Sequence, residues 1–347
     1  LRVRLLAAFL LLGVLPLAGA GALVYRQGEA RLAHELEARL ATVAELKAQQ
    51  IRAWTEERQA AVAHPAALPT LERAVAALMR RAPPDGERAA VRALRADLER
   101  LRRGGGFTEL FLVEPAAGRV VLSTDRAQEG KLKADRPYVR EGRRAPFVQH
   151  VYYSLALGRP VMAFSAPVRD TAGHVLAILV GRVDLAFLDR LMGERAGLGR
   201  TGQTFLVNRA NYFVSERAGR SPHGLRPVFS EGVRRALAGE TGTGRYVNHE
   251  GRAVVAAFRW VPEIGLALIA EMDAAEAMRP IQAFWYALVS VVGLVGAAAV
   301  AASVALSYGI TKPLGRLAAA AAAIGRGEFD QRVAVAGAPE LRVLAQA

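Results

Sequence analysis

The chain has 347 residues, 52% of them hydrophobic, a formal charge of +14 and no cysteine. The hydrophobic share is enough to bury a core and excludes a disordered chain, and the missing cysteine excludes disulfides, thiolate nucleophiles and cysteine-based metal sites. The cationic excess is nearly all arginine, with lysine only at Lys47, Lys131, Lys133 and Lys312; it is spread beside glutamates along alanine-rich helices, which reads against a nucleic-acid partner.

From Leu5 to Val24 the chain reads LLAAFLLLGVLPLAGAGALV, without a charge. At about 1.5 Å per residue such a run crosses a hydrocarbon layer of about 30 Å. Arg2 and Arg4 before it would also suit a secretory signal, but the run is long for one and helical sequence continues from it, so an uncleaved anchor is expected, kinked at Pro16. Next comes an amphipathic helix with Leu32, Leu36, Leu40, Val43, Leu46, Ile51 and Trp54 spaced three to five residues apart. Pro65 and Pro69 interrupt it, LERAVAALMRRA resumes helix, PPDGE turns the chain, and RAAVRALRADLERLRR forms a further helix that stops at Gly104–Gly106.

The pattern then changes to strands. FTELFLVEP and RVVLST flank a turn at Ala116–Gly118, and the sequence from Phe147 to Leu185 reads as strands joined by turns at Gly158 and Thr171–Gly173. AFLDRLMGE is a closing helix. A second unit echoes the first: GQTFLVNRANYFVSE reads as strand, turn, strand, SEGVRRALAG as helix, and Gly244–Asp273 as three more strands. Between Arg279 and Lys312 no residue is charged, and the run FWYALVSVVGLVGAAAVAASVALSY has Trp285 and Tyr286 at one end and Tyr308 at the other, as interfacial aromatics of a second span would lie. Gly293, Gly296, Ala297 and Ser303 offer a close approach to another helix.

No catalytic constellation stands out. His34, His64, His150, His174, His223 and His249 lack metal-ligand spacing, and GETGTGRY lacks the strand-to-helix context of a phosphate loop. Neither metal nor cofactor is expected. A binding role fits better: Arg136 and Tyr138 in DRPYVREG, Tyr152 and Ser154 alternating along one strand, and Asp184 ending another are polar groups able to fix a small ligand, with arginine for a carboxylate and aspartate for an ammonium.

The phrases RPYVREG, VYYSLALGRPVMAFSAPVRDTAGHVLAILVGRVDL, GRTGQTFLVN and GLALIAEMD, in that order between two apolar runs, resemble the double Cache sensor region of bacterial transmembrane receptors. The resemblance covers roughly residues 29–278 and implies an α+β fold: a stalk helix followed by a membrane-distal and a membrane-proximal PAS-like module. It also implies that the distal module holds the ligand, an amino acid, amine or organic acid, although the aromatic signature of amino-acid-binding relatives is incomplete, with no Trp beside DRPYV. The last segment, TKPLGRLAAAAAAIGRGEFDQRVAVAGAPELRVLAQA, resembles a HAMP linker. Pro313 breaks from the span, Leu314, Leu317, Ala321 and Ile324 repeat at coiled-coil spacing, Gly327 allows a turn, Phe329 and Val333 peg a connector, and Glu340 and Leu341 open a second helix, with Pro339 where the family usually has an acidic residue.

The expected organisation is a span at 1–25, a stalk at 26–106, a distal module at 107–193, a proximal module at 194–279, a span at 283–310 and an incomplete HAMP at 311–347. Two HAMP helices cannot close a core, so a homodimer with a four-helix bundle is implied. HAMP units are cytoplasmic, which places both termini inside a bacterial plasma membrane and the sensor outside. A sensor histidine kinase is the first expectation for the output, with a chemoreceptor or nucleotide cyclase as alternatives; a membrane-anchored binding protein or enzyme without signalling output is the reading from another class.

Overall fold

The computed structural model describes residues 15–79, 85–214, 227–306, 308 and 312–325. The chain divides into two compact units, Leu1–His34 with Met278–Ala347, and Glu35–Ala277. Helix α1, Leu15–Ala66, contributes to both.

In the larger unit, α1 buries the stripe Leu40, Ala44, Ala48, Ile51, Thr55 and Val62, a spacing close to the helical repeat. Leu46, expected on that stripe, is exposed, and Lys47 lies inside instead. The Lys47 Nζ donates to the carbonyls of Leu191 and Glu194, at the open C-terminal end of a later helix; a cation there satisfies acceptors that the helix itself leaves without donors. Pro65 is tolerated in the last turn of α1, and Pro69 starts α2, Pro69–Met79, where its missing N–H costs nothing. The expected PPDGE turn falls outside the described residues. Helix α3, Asp85–Gly104, ends where the glycines begin.

Strands β1, Glu109–Val113, and β2, Val120–Ser123, lead to a four-residue helix α4, Pro137–Arg140, in the DRPYVREG segment that covers the sheet. Strands β3, Phe147–Ser154, β4, Arg159–Arg169, and β5, Val175–Asp184, complete an antiparallel sheet in the order β2-β1-β5-β4-β3. β1 is buried throughout because both sheet faces are covered. On one face Trp54 of α1 meets Phe164 edge-on at 6.2 Å and stacks on Phe187 at 5.1 Å. On the other, Tyr138 and Val139 of α4 pack with Phe111, Ala163, Ile178 and Val180.

Helix α5, Ala186–Gly193, leads into β6, Gln203–Val207. The second strand expected in this stretch reduces to isolated bridges of Phe213 with Val207 and Tyr212 with Pro227. The turn is built by the Asn208 side chain, which accepts from the backbone of Ala210 and Tyr212, with Asn211 at φ 62°. Helix α6, Glu231–Leu237, is capped by Ser230. Strands β7, Gly242–Val247, β8, Ala253–Val261, and β9, Leu266–Asp273, then form a second sheet with β6 in the order β6-β9-β8-β7. With β2 set aside, this is the order of the first sheet, strand for strand. The β8–β9 turn touches β3: Gly265, at φ 65°, lies so close to the His150 ring that a Cβ would overlap it.

In the smaller unit, after the short helix α7, Ala274–Ala277, of the larger one, come α8, Arg279–Leu306, and α9, Lys312–Ile324. Ile281–Ala305 is long and apolar enough to cross a membrane, with a mean hydropathy of 2.3. It packs against the start of α1 in antiparallel order: Gly21 faces Leu288, Tyr25 meets Trp285 at 5.1 Å, and Gly28 faces Ile281. Gly21 leaves no room for a Cβ, so the helices meet at a small residue. Residues 1–14, which hold most of the expected first span, lie outside the described residues.

Trp54→Ala removes the ring that joins stalk to sheet, and a loss of about 3–5 kcal/mol is expected; the midpoint of chemical denaturation of the detergent-solubilised chain measures it.

Candidate functional site

Charge enters the first sheet at one row. Glu109 of β1 pairs in register with Arg182 of β5, which pairs with Ala163 of β4, which pairs with Gln149 of β3. By alternation these positions share the face that α4 covers. Arg182 and Glu109 form an ion pair at 3.1 Å with both side chains almost wholly buried, 3% and 2% exposed. Ser123 donates to Glu109 at 3.0 Å, and the Arg182 Nη2 donates to the Tyr138 hydroxyl at 3.2 Å. The guanidinium also lies 4.9 Å from the Phe111 ring centre.

Lys133 adds a second buried cation, 5.6 Å from the centre of the Phe111 ring and donating to Gln128 at 3.3 Å. Burial first, and then the charge of Arg182, lowers its pKa to about 8. Burial pushes the Glu109 carboxyl up, against the pull of Arg182, Ser123 and Lys133. Among the buried side chains two cations thus face one anion, with Asp125 at the edge, bonded to Gln128 at 3.3 Å. Two donors in this cluster are buried without any partner, the Arg182 Nε and the Tyr152 hydroxyl. Tyr152 lies beside Tyr138, ring centres 6.3 Å apart, and burial pushes its pKa up, keeping the hydroxyl proton in place. The backbone N–H of Tyr138 donates to Gln149 at 3.2 Å, tying α4 to β3.

Of the residues read from sequence, Tyr138 and Tyr152 are brought together in this cluster. Asp184 lies two residues beyond Arg182 on the same face of β5, half-exposed, where it accepts from the backbone of Ala186 at 3.2 Å and pairs with Arg159 at 3.4 Å. Arg136 precedes α4, half-exposed, 3.7 Å from Asp135. Ser154 is buried at the end of β3. Glu109, Lys133 and Arg182 were missed. The available signal was a charge inside an otherwise apolar strand, at TELFLV and ILVGRVD. Pro313, Leu314, Leu317 and Ile324 fall on α9, whereas Gly327, Phe329, Val333, Glu340 and Leu341 lie outside the described residues.

A separate cleft of about 660 Å³ opens among α1, α2 and α3, lined by Glu57, Arg58, His64, Leu68, Leu94 and Leu101 among others. None of the buried, unpartnered polar atoms lines it. Among the described residues, no group of three or more His, Cys, Asp or Glu side chains is placed to hold a metal ion.

A long helix backing two antiparallel sheets, with a polar cluster sealed under a covering segment, is the architecture of a ligand-sensing domain. The Cache domain profile matches residues 29–281 and the HAMP domain profile residues 305–347. The chain belongs to the Cache domain family, joined to a HAMP domain. Among solved structures, its fold is similar to the ligand-binding domain of the Campylobacter jejuni chemoreceptor Tlp3, solved with 4-methylisoleucine, at 14% identity and a TM-score of 0.52, covering 71% of this chain and 94% of that one. The same domain solved with L-valine gives 13% identity and 0.50, covering 72% and 97%. The sensor domain of the V. cholerae histidine kinase DctB gives 12% identity and 0.52, covering 70% and 98%. A search of the curated proteins found no match to the chain.

Removing one partner of the buried pair leaves the other charge uncompensated, so Arg182→Met is expected to destabilise by about 3–5 kcal/mol. The double variant Arg182→Met with Glu109→Gln is expected to recover most of that loss, read as coupling in a double-mutant cycle of denaturation midpoints.

Proposed function

We propose that the chain is the sensing and transmitting part of a two-pass bacterial membrane receptor. Its double Cache region, a distal module at 107–193 and a proximal one at 194–279, stands outside the membrane, and HAMP relays its state to an output inside. A small ligand bearing a carboxylate, of the amino-acid or organic-acid class, binds the distal module.

One observation carries this reading: the Arg182 Nε and the Tyr152 hydroxyl are buried donors with no acceptor, in a cluster whose cations outnumber its anion. A buried donor without a partner costs about 1–3 kcal/mol. A carboxylate supplies acceptors and negative charge together. Tyr138 forms the covering wall, Arg136 stands at the mouth for further carboxylate contact, and Asp184, on the face of Arg182, receives an ammonium if the ligand carries one. The ligands named for the similar Tlp3 domain, 4-methylisoleucine and L-valine, are consistent with that pair of groups.

For the relay, the exposed apolar surface of Phe284, Val289, Leu294 and Val300 on α8 calls for lipid or a helical partner. The antiparallel contact of α8 with α1 supports two spans. A homodimer closes the HAMP bundle, in which Pro313, Leu314, Leu317, Ile324, Gly327, Phe329, Val333, Glu340 and Leu341 form the packing and turn positions. Ligand shifts this bundle by its differential affinity for two states, typically about 1–3 kcal/mol. A histidine kinase is the first choice of output, ahead of a chemoreceptor or a cyclase.

Titration calorimetry of the full chain in nanodiscs, with L-valine, L-isoleucine and succinate as probes, tests the ligand class. Saturable heat from at least one is expected, and silence from all three overturns it. Tyr152→Phe, which deletes one hydrogen bond, is expected to weaken binding about five- to tenfold. The pH dependence has a definite sign. Lys133 is charged below about 8 and neutral above, so ligand affinity falls as pH rises past that value. Because its folded pKa lies below the ordinary 10.5, the same group disfavours folding below about pH 8, and that penalty is relieved between about pH 8 and 10.5.

A further inference from the structure

The second sheet repeats the charged row of the first with the sign reversed. Gln203 of β6 pairs with Glu271 of β9, Glu271 with Ala256 of β8, and Ala256 with Gly244 of β7. The corresponding row of the first sheet is Glu109, Arg182, Ala163 and Gln149. Where the first sheet buries an arginine, the second buries a glutamate.

Glu271 is 1% exposed. Its Oε1 accepts from Gln203 and Asn248, both at 2.9 Å, while its Oε2 is buried without a partner. Two more buried polar atoms of this region lack partners, the Tyr246 hydroxyl and the His249 Nδ1. Tyr246 lies two positions from Gly244 on the face of Glu271, its hydroxyl against Gly232 of α6. The His249 ring packs on Phe205 at 5.7 Å and on Phe213 at 5.2 Å, within the apolar cluster of that face. Beside Glu271 the row continues with alanine and glycine, and a Cβ on Gly244 would meet nothing closer than 3.9 Å.

Among the described residues no lysine or arginine is paired with it, and the basic group whose charge bears on it is the His249 ring. Arg235, the basic side chain nearest Gly244, is bound to Glu240 at 2.7 Å and rests on the Phe258 ring at 4.5 Å. Burial pushes the Glu271 carboxyl up, with the hydrogen bonds of Gln203 and Asn248 and the charge of His249 opposing.

We infer that the membrane-proximal sheet holds a second binding site, for the ammonium group of a small primary amine, with Glu271 as its anionic anchor. An ammonium has three N–H donors and no acceptor. The Glu271 Oε2, the Tyr246 hydroxyl oxygen and the His249 Nδ1 provide three acceptors, and the rings of Phe205 and Phe213 provide the π faces that a desolvated cation favours. The site is independent of the carboxylate site on the first sheet and answers to the opposite charge.

The test is the thermal unfolding of the full chain in nanodiscs, with methylammonium chloride as probe and sodium chloride and tetramethylammonium chloride at equal ionic strength as controls. Methylammonium is expected to raise the midpoint saturably, and tetramethylammonium, which has charge but no N–H, to do so far less. Glu271→Gln keeps an acceptor for Gln203 and Asn248 and removes the charge, so it is expected to fold and to weaken methylammonium at least tenfold. Should that variant fail to fold, Tyr246→Phe takes its place, with a loss of about fivefold expected from one hydrogen bond. No saturable shift with methylammonium, an equal shift with tetramethylammonium, or an unchanged response in the variants overturns the inference.

Discussion

Lys47 faces inward from the middle of α1 and closes the end of α5 by donating to the carbonyls of Leu191 and Glu194. That contact fixes where the chain leaves the first sheet for the second, because β6 starts a short loop later and Thr204 donates to Met192 at 2.9 Å. One helix therefore sets the frame of both sheets. Above Lys47, Trp54 holds the first sheet through Phe164 and Phe187. Around and below it, Arg52 pairs with Glu263 at 2.6 Å, Glu45 with Arg259, and Glu37 with Arg245 at 3.7 Å, all on the second. The upper attachment is aromatic and the lower one ionic, so the two differ in what weakens them. Ion pairs this exposed contribute little each and are screened by salt, whereas the buried lysine and the ring stack are not.

Much of this frame was legible in the sequence. Apolar spacing on α1, prolines at the α1–α2 break, and Gly158 and Gly173 at strand ends each mark local geometry that depends on a few neighbouring residues. Leu46 shows the limit. It fits a stripe drawn by hydrophobicity, yet the helical angle puts Lys47 on the buried face, and only the carbonyls of a helix some 144 positions later explain a lysine there. Glu109 and Arg182 fail to stand out for the same reason. They are 73 positions apart and become a pair only when β1 and β5 align. Tyr138 and Tyr152 were readable because they sit in or beside the covering segment. Arg136 and Asp184 were readable as polar groups, but not their neighbours Asp135, Arg159 and Ala186, which engage them.

The two sheets share register while differing in charge, which shows what the scaffold leaves free. Strand order and the small residue at the third place of the row, Ala163 or Ala256, belong to the backbone geometry. The second place of the row is enclosed in both sheets and carries whichever ion its own surroundings satisfy: Glu109 and Tyr138 around Arg182, Gln203 and Asn248 around Glu271. Burying an ion without a full set of partners is costly, and in both sheets the unfilled positions point into the face covered by a helix.

The ladder between β3 and β4 loses register between Gln149 and Tyr152. The displaced residues include His150, against which Gly265 is pressed. A strand that skips a pairing bends locally and leaves a residue out of the regular ladder. Here that irregularity spans two residues, with a wall of the polar cluster at one end and the neighbouring sheet's turn at the other. Two residues of chain thus link Tyr152 in the polar cluster to the His150 ring, which fills the space that a Cβ on Gly265 would need.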